Sequence, residues 1–540
     1  MRKKHFLFAS VLALLCGSST LHAQDFKLTS SGYFKNQGVD VMAFDDIYPE
    51  GHQGGVCIIM NGHRVATNGD IRLEATPGQW QPVPKQLDRK LGDNSITATL
   101  CYPDSSRHLT GFNPMIYPDL HLIYTVNVES KGKNIEVTVD LDRPIPQEFI
   151  GKVGFNLEFF PGSLFGKPWI MDGQSGIFPQ QPNSPLMTTQ PNYLHTGNYH
   201  DGKKSLADMD KLIGKGYSPI VADDIISEPY AKGTKFTSRP DDPYNKVTIE
   251  SLSGDLQLFD GRMNHNNGWF VLRSNIKPGV TKGAVKWIIT PNVVADWMYQ
   301  PVIQTSQIGY HPTQDKEAVI EMDIRDNRKE TAQIIRIDAD GEKVVKNVTP
   351  ANWGKFLRYN YLKVNFTDVK EPGLYKIKYN TSVSPIFRID NDVYARGVWQ
   401  PVLEYFLPVQ MCHMRVNEKY RVWHDCCHMD DAQMAPAHNH IDGYDQKEGL
   451  SKFKPGEVVP GVNIGGWHDA GDFDLRIESQ AGESYILALA YEAFHPNLDV
   501  TSIDQINRVT EIHQPDGKND LLQQVENGAL TVVNGYLALG

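Results

Sequence analysis

The sequence predicts a multidomain chain: a large N-terminal β-sandwich, a small immunoglobulin-like β-sandwich, and an all-α C-terminal segment. Three observations predict it. The chain has 540 residues, more than a single hydrophobic core serves. Up to about residue 390, short blocks of alternating apolar and polar residues are separated by turn signals. Beyond Asp390–Asp392 the apolar period becomes that of a helix.

Taken in order, the first residues, "MRKKHFLFASVLALLCGSSTLHAQ", combine a basic start (Arg2, Lys3, Lys4) with an apolar run from Phe6 to Leu15 and a small residue at Ala23. This is the pattern of a secretory signal over residues 1–23, too short for a stable membrane span. Leu14 and Leu15 are bulky for a lipid anchor on Cys16, so cleavage after Ala23 is expected. No later stretch is apolar enough to cross a bilayer, and the expected location is periplasmic or extracellular.

Residues 24–300 read as one large β domain of no recognised family. "DLHLIYTVNVESKGKNIEVTVDLD" is a hairpin by its period of two, and "KVTIESLSGDLQLFDG", "GWFVLRSNI" and "GAVKWIITPN" continue the pattern. Residues 160–245, rich in Pro, Gly, Tyr and Asn, predict long ordered loops. Trp80, Trp169 and Trp269 are best read as core. Cys57 and Cys101 fall in separate β-like runs; a disulfide and two buried thiols both suit them. Residues 301–390 carry further short strands, such as "TAQIIRIDADGEKVVKNV" and "GLYKIKYNTSVSPIFRI", with the spacing of an immunoglobulin-like sandwich.

In residues 391–540, three helices are predicted. The first runs through Val393, Val398, Val402 and Phe406, with Asp392 as N-cap. The second runs through Tyr485, Leu489 and Ala493, and the third through Leu522, Val525, Ala529 and Val533.

Composition narrows the function. Hydrophobic residues at 40% and charged residues at 22% describe ordinary globular protein. A net charge of −11 argues against nucleic acid as a partner, which would need a basic face. For that reason "HNH" at 438–440 is read as loop, not as a nuclease motif.

The stretch "GGWHDAGDFD", residues 465–474, sets Asp469, Asp472 and Asp474 in a glycine-rich turn. Crowded carboxylates raise one another's pKa and repel, so folding alone seldom favours them. The plain alternative is an Asp-rich turn or cap. From Val302 onward, however, the chain resembles the family 9 glycoside hydrolases. Three stretches carry the resemblance. "SQIGYHPTQDKEAVI" matches the opening of that family's immunoglobulin-like domain at Gln307, Gly309, Tyr310, Pro312 and Lys316. "GGWHDAGDF" matches its Asp-Ala-Gly-Asp signature, and a Cys/His cluster, "MCHMRVNEKYRVWHDCCHMDD", lies between the two.

The resemblance implies a partial (α/α)6 barrel in residues 391–540 and hydrolysis, with inversion, of a β-1,4-linked glucan such as cellulose, β-glucan or xyloglucan. An inverting glycosidase needs a carboxylate to deprotonate water on one face of the sugar and an acid on the other. By resemblance Asp472 is the base and Asp469 helps hold the same water; Trp467, like Trp423, is a candidate for stacking on glucosyl rings. It also implies a structural zinc on Cys412, Cys427, His428 and His468, two thiolates and two imidazoles being a closed tetrahedral donor set. A Cys412–Cys426 or Cys412–Cys427 disulfide is the alternative, and Cys426 has no assigned role. Calcium is a further possibility, without assigned ligands. Asp474 departs from the family pattern and is expected to pair with Arg476.

The family's general acid is a Glu late in the barrel, and about 150 helical residues are too few for six hairpins. Glu478 and Glu483 follow the signature too closely to serve. The expectation is therefore a fragment or a natural truncation holding the base half of the site. The competing readings are a non-catalytic polysaccharide-binding protein and another (α/α)-barrel hydrolase or lyase. Oligomeric state is not legible.

Overall fold

The computed structural model describes residues 25–539, except 46, 49–50, 53, 75, 78–83, 103–119, 121, 183–185, 190–224, 264–267, 431, 435–450 and 470–474. The signal segment, Trp80 and the His438–His440 motif lie outside the described residues. The chain divides into two compact units, up to Tyr299 and from Gln300 onward.

The N-terminal unit is built on two nine-stranded antiparallel sheets. The predicted hairpin is Ile123–Lys131 with Asn134–Leu141. Its inward residues, Tyr124, Val126, Val128, Ile135, Val137 and Val139, enter a single core shared by both sheets. Phe155 of the first sheet meets Trp287 of the second edge-on at 4.9 Å. Among the described residues of 160–245, strands stand where loops were expected: Pro168–Met171, Gln174–Ile177 and Lys235–Ser238 join the second sheet, and Ala231–Gly233 the first. These strands have only three or four residues, too few to impose a visible period. Trp169 is buried, and Trp269 stands edge-on to Phe160 at 4.4 Å. Cys57 and Cys101 are both buried thiols, not bridged.

The first sheet buries its other face too, and that face is ionic. Phe155 and Leu157 point to the core, while Asn156 between them lies opposite Asp70 and Arg273. Arg273 donates to Glu74 Oε1 (3.2 Å), Asn156 Oδ1 (3.1 Å), the Glu74 carbonyl (2.7 Å), the Lys152 carbonyl (3.0 Å) and Asn275 Oδ1 (2.7 Å). Arg72 and Asp70 lie 3.8 Å apart.

In the second unit, residues 302–389 form the small sandwich. One sheet comprises Val302–Gln304, Glu317–Asp323, Tyr359–Asn365 and Ala351–Phe356; the other centres on Ala332–Asp338 and Gly373–Tyr379. The motif residues prove structural. Tyr310 is buried against Phe366 and Phe387 and donates to the Glu317 carbonyl at 3.0 Å. Gly309, at φ +96°, lies where a Cβ would sit 2.3 Å from the Arg388 carbonyl. Lys316 is fully buried, its ammonium capped by the Pro312 and Gln314 carbonyls.

The first predicted helix shrinks to α1, Gln400–Glu404, followed by a wide turn at Phe406–Gln410. Its N-cap is Trp399; Asp392 instead pairs with Arg388 at 3.0 Å. Gly397 is left-handed at φ +67°, and Pro408 supplies no N–H, so the helix can neither start early nor run on. The other two exist as α2, Ile477–Phe494, and α3, Asp520–Leu539, packed together. Beside them a four-stranded sheet joins Arg421–His424, Arg415–Glu418, Val509–Ile512 and Thr501–Asp504. The described part of the chain is thus mostly β, with few helices.

The stripes chosen from the sequence are not the buried ones. Tyr485 and Leu489 are exposed, as are Leu522 and Val533. On α2, Gln480 and Leu487 are buried. On α3, the buried face reads Leu521, Gln523, Gln524, Asn527, Gly528, Thr531 and Gly535. No helix among the described residues is long and apolar enough to cross a membrane.

Candidate active site and metal centre

That polar face of α3 has a purpose: it grips the loop that carries the signature. Thr531 donates to the Ile464 carbonyl (2.6 Å), Asn527 Nδ2 to the Gly466 carbonyl (3.1 Å), and Gly466 N–H to the Asn527 carbonyl (3.0 Å). From α2, Gln480 clasps both backbone groups of Trp467, accepting its N–H at 2.8 Å and donating to its carbonyl at 2.9 Å. On the other side Cys412 N–H reaches the Gly466 carbonyl (2.9 Å), and His468 N–H the Gln410 carbonyl (2.6 Å). Gly465, at φ +67°, lies where a Cβ would stand 2.3 Å from the Asn527 carbonyl. A buried backbone without these partners would cost a hydrogen bond at each group. The polar stripe therefore replaces an apolar one.

Trp467 is the first correction. It is fully buried, packed on Phe406, and its indole N–H donates to Gln524 Oε1 at 3.0 Å. A ring sealed on every side offers no face to a sugar. Trp423 is exposed but engaged: its N–H donates to Glu418, and Arg421 lies over its ring.

The structure brings together all four expected metal-ligating residues. The donor atoms of Cys412, Cys427, His428 and His468 lie within 4.8 Å of one another. The sulfurs are 3.6 Å apart, so they are not bridged. Cys412 Sγ to His428 Nδ1 is 3.3 Å, Cys427 Sγ to His468 Nε2 is 3.5 Å, and the two nitrogens are 3.3 Å apart. A zinc tetrahedron with bonds of about 2.3 Å to sulfur and about 2.0 Å to nitrogen has edges of roughly 3.3–3.8 Å. The measured edges fit that figure. His468 Nδ1 donates to the Val409 carbonyl at 3.1 Å, which turns its Nε2 lone pair inward, the usual arrangement behind a metal-bound imidazole. The Cys412 and His468 side chains in hydrogen-bond reach, with His424 beside them, hold the Cys427 thiol far below its ordinary range against the opposing effect of burial. Thiolate is the ligating form.

Two more histidines surround the cluster without joining it. Burial lowers His413, whose Nδ1 meets the Gly465 carbonyl at 2.8 Å. His424 is raised, chiefly by the neighbouring Cys427 sulfur. Cys426 stands aside, its sulfur 3.8 Å from the Arg508 carbonyl.

Asp469 follows His468 directly. Its side chain is 30% exposed and pairs with Arg476 at 3.3 Å. Arg476, expected beside Asp474, thus has Asp469 as a partner; Asp472 and Asp474 lie outside the described residues.

The comparisons extend this picture. Residues 298–384 match the family model of the cellulase N-terminal ig-like domain. No curated protein matches the chain. Among solved structures, a metagenome-derived glycoside hydrolase family 9 endoglucanase shares 24% identity over 43% of this chain and 40% of its own, at a TM-score of 0.33. A Zn-binding triple mutant of the family 9 endoglucanase J30 shares 24% identity over 42% of this chain and 38% of its own (TM-score 0.32). A Bacteroides ovatus family 9 protein shares 21% over 42% and 37% (TM-score 0.31). This chain spans about 40% of the length of the first of these structures.

The match over 298–384 gives the class of that segment: an immunoglobulin-like domain similar to the one at the N-terminus of cellulases. The resemblance to glycoside hydrolase family 9 read from the sequence is borne out over that segment.

Proposed function

We propose that the chain is an exported glycoside hydrolase that cleaves a β-1,4-linked glucan with inversion. In this reading residues 391–540 begin an (α/α)6 barrel and carry the base half of its site. Asp472 removes the proton from a water beneath the bound sugar, and Asp469 fixes that water through a second acceptor. General-base help of this kind contributes about 10²–10⁴-fold in rate.

One observation carries the reading. Asp469, in the family's signature, is partly open to solvent on a loop that α2 and α3 hold by at least five hydrogen bonds. Zinc, held by Cys412, Cys427, His428 and His468, would supply structural rigidity, since four protein donors close its coordination. Because His468 adjoins Asp469, the ion and the helices would fix the same loop from two sides.

The test separates the base from the acid. A β-cellobiosyl fluoride needs no proton on its leaving group, so a base half alone suffices. The chain should hydrolyse it with inversion at the anomeric carbon, and Asp472→Asn should lower the rate by about 10²-fold or more. Activity retained within tenfold would remove Asp472 from its role. Binding of glucan without hydrolysis of the fluoride would favour the non-catalytic reading instead.

A further inference from the structure

At one end of the N-terminal unit, residues of both sheets line a cavity of about 560 Å³. It lies where strands begin or finish: His63–Leu73 and Val153–Phe159 from the first sheet, Lys235–Ser238 and Val247–Ser251 from the second. The short turn Pro161–Ser163 borders it. Its size is that of a small-molecule pocket, for which about 300–1,000 Å³ is usual.

The lining has two characters. Phe160, Leu164 and Val247 supply apolar wall. Phe160 is partly open, and its edge-on contact with Trp269 at 4.4 Å fixes the ring. Against this wall stand three polar side chains with unused capacity. Ser238 is only 2% exposed, and its hydroxyl has no hydrogen-bond partner among the described residues. Arg239 spends Nε on Asp241 (3.2 Å) and Nη2 on Asp242 (2.8 Å), which leaves Nη1 as a donor. Asn245 gives Nδ2 to the same Asp242 carboxylate at 2.7 Å. A carboxylate only accepts, so this bond sets the amide's orientation and leaves Oδ1 as an acceptor.

These groups define the ligand by exclusion. Two carboxylates already match the charge of Arg239, so an anion gains little there. A purely apolar molecule would leave the Ser238 hydroxyl buried and unpaired, at a cost. Hydroxyl groups both donate and accept, and a pyranose ring carries them around an apolar face. We propose that this cavity binds a neutral saccharide, giving the N-terminal unit a glycan site separate from the signature loop. That the glycan is a β-1,4-linked glucan rests on the hydrolase reading; that it is a saccharide rests on the cavity.

Isothermal titration calorimetry of the full chain tests this, in an Asp472→Asn background that removes turnover. The probes are cellotetraose, xylotetraose, mannotetraose and the charged tetragalacturonate. At least one neutral tetrasaccharide should bind. Ser238→Ala, which deletes one unpaired hydroxyl and should leave the fold intact, should weaken that binding about 2- to 10-fold, the worth of a neutral hydrogen bond. Phe160→Ala should weaken it by a similar factor or more. Binding of xylotetraose or mannotetraose alone supports the cavity proposal and counts against a glucan. No binding by any neutral probe, a preference for tetragalacturonate, or affinity unchanged in both variants would overturn it. Hydrolysis of the glycosyl fluoride is read separately, so either proposal can fail alone.

Discussion

Arg273 faces Glu74 at 3.2 Å inside the N-terminal unit; in the second unit two sulfurs and two imidazole nitrogens converge at 3.3–3.6 Å. Both clusters bury groups that water would otherwise solvate. In the first, the protein brings its own counter-charge, and the guanidinium's donors are spread over five acceptors drawn from two strands and two adjoining loops. In the second, the four donor atoms lie within 4.8 Å of one another, a set that could hold a metal ion. A cluster of the first kind is complete when the chain folds; one of the second kind has the donors for an ion.

The sharpest way to break this comparison is to remove one partner from each side. Arg273→Leu leaves Glu74 buried without its cation, and losing one member of a buried pair costs about 3–5 kcal/mol. The N-terminal transition in calorimetry should fall, with or without chelator. In the second unit, Cys427→Ser or a strong chelator should lower the other transition. Free zinc at a thousand times its Kd adds about 4 kcal/mol to a site of this kind. Metal analysis should return one zinc per chain before treatment. If chelation left both transitions in place and no metal was found, the convergence of the four donors would need another cause.

A smaller effect probes how the loop is held. Gly528 sits where a Cβ would stand 2.2 Å from Ser484 Oγ and 2.4 Å from the Trp467 ring. Gly528→Ala should therefore destabilise the second unit by about 1–3 kcal/mol, the usual range for overpacking. It should also weaken metal retention, because Trp467 precedes His468. Equilibrium unfolding in denaturant would measure the first effect and competition with a chelator the second.

Legibility followed periodicity. The hairpin at 123–141 announced itself because its alternation is unbroken over both strands, and the four-residue donor set was legible through the family resemblance, which carries it over by position. What escaped was the pairing of polar helix residues with a polar loop. Gln480, Gln524, Asn527 and Thr531 recur at helical spacing on the buried faces, yet a search for apolar stripes selects Tyr485, Leu489, Leu522 and Val533, which are exposed. The strands between 168 and 238 escaped for a different reason, having only three or four residues each. Proline at 401 and 408 was visible throughout and should have shortened the first helix.

The last predicted effect concerns pH. Burial pushes Glu74 up to about 7, against the pull of Arg273 and Arg72, from 4.5 in the unfolded chain. The folded state then binds this proton more tightly than the unfolded one. Between pH 4.5 and 7 the stability contributed by Glu74 is largest at the acid end and is lost as pH rises. Arg273 tolerates a neutral Glu74 because two backbone carbonyls, Asn156 and Asn275 also accept its protons. Glu74→Gln, which imitates the protonated form, should remove this part of the pH dependence from the N-terminal transition while leaving the second transition's untouched. A wild-type slope across that window identical to the variant's would mean that Glu74 stays ionised, and that the arginine side of the cluster outweighs its burial.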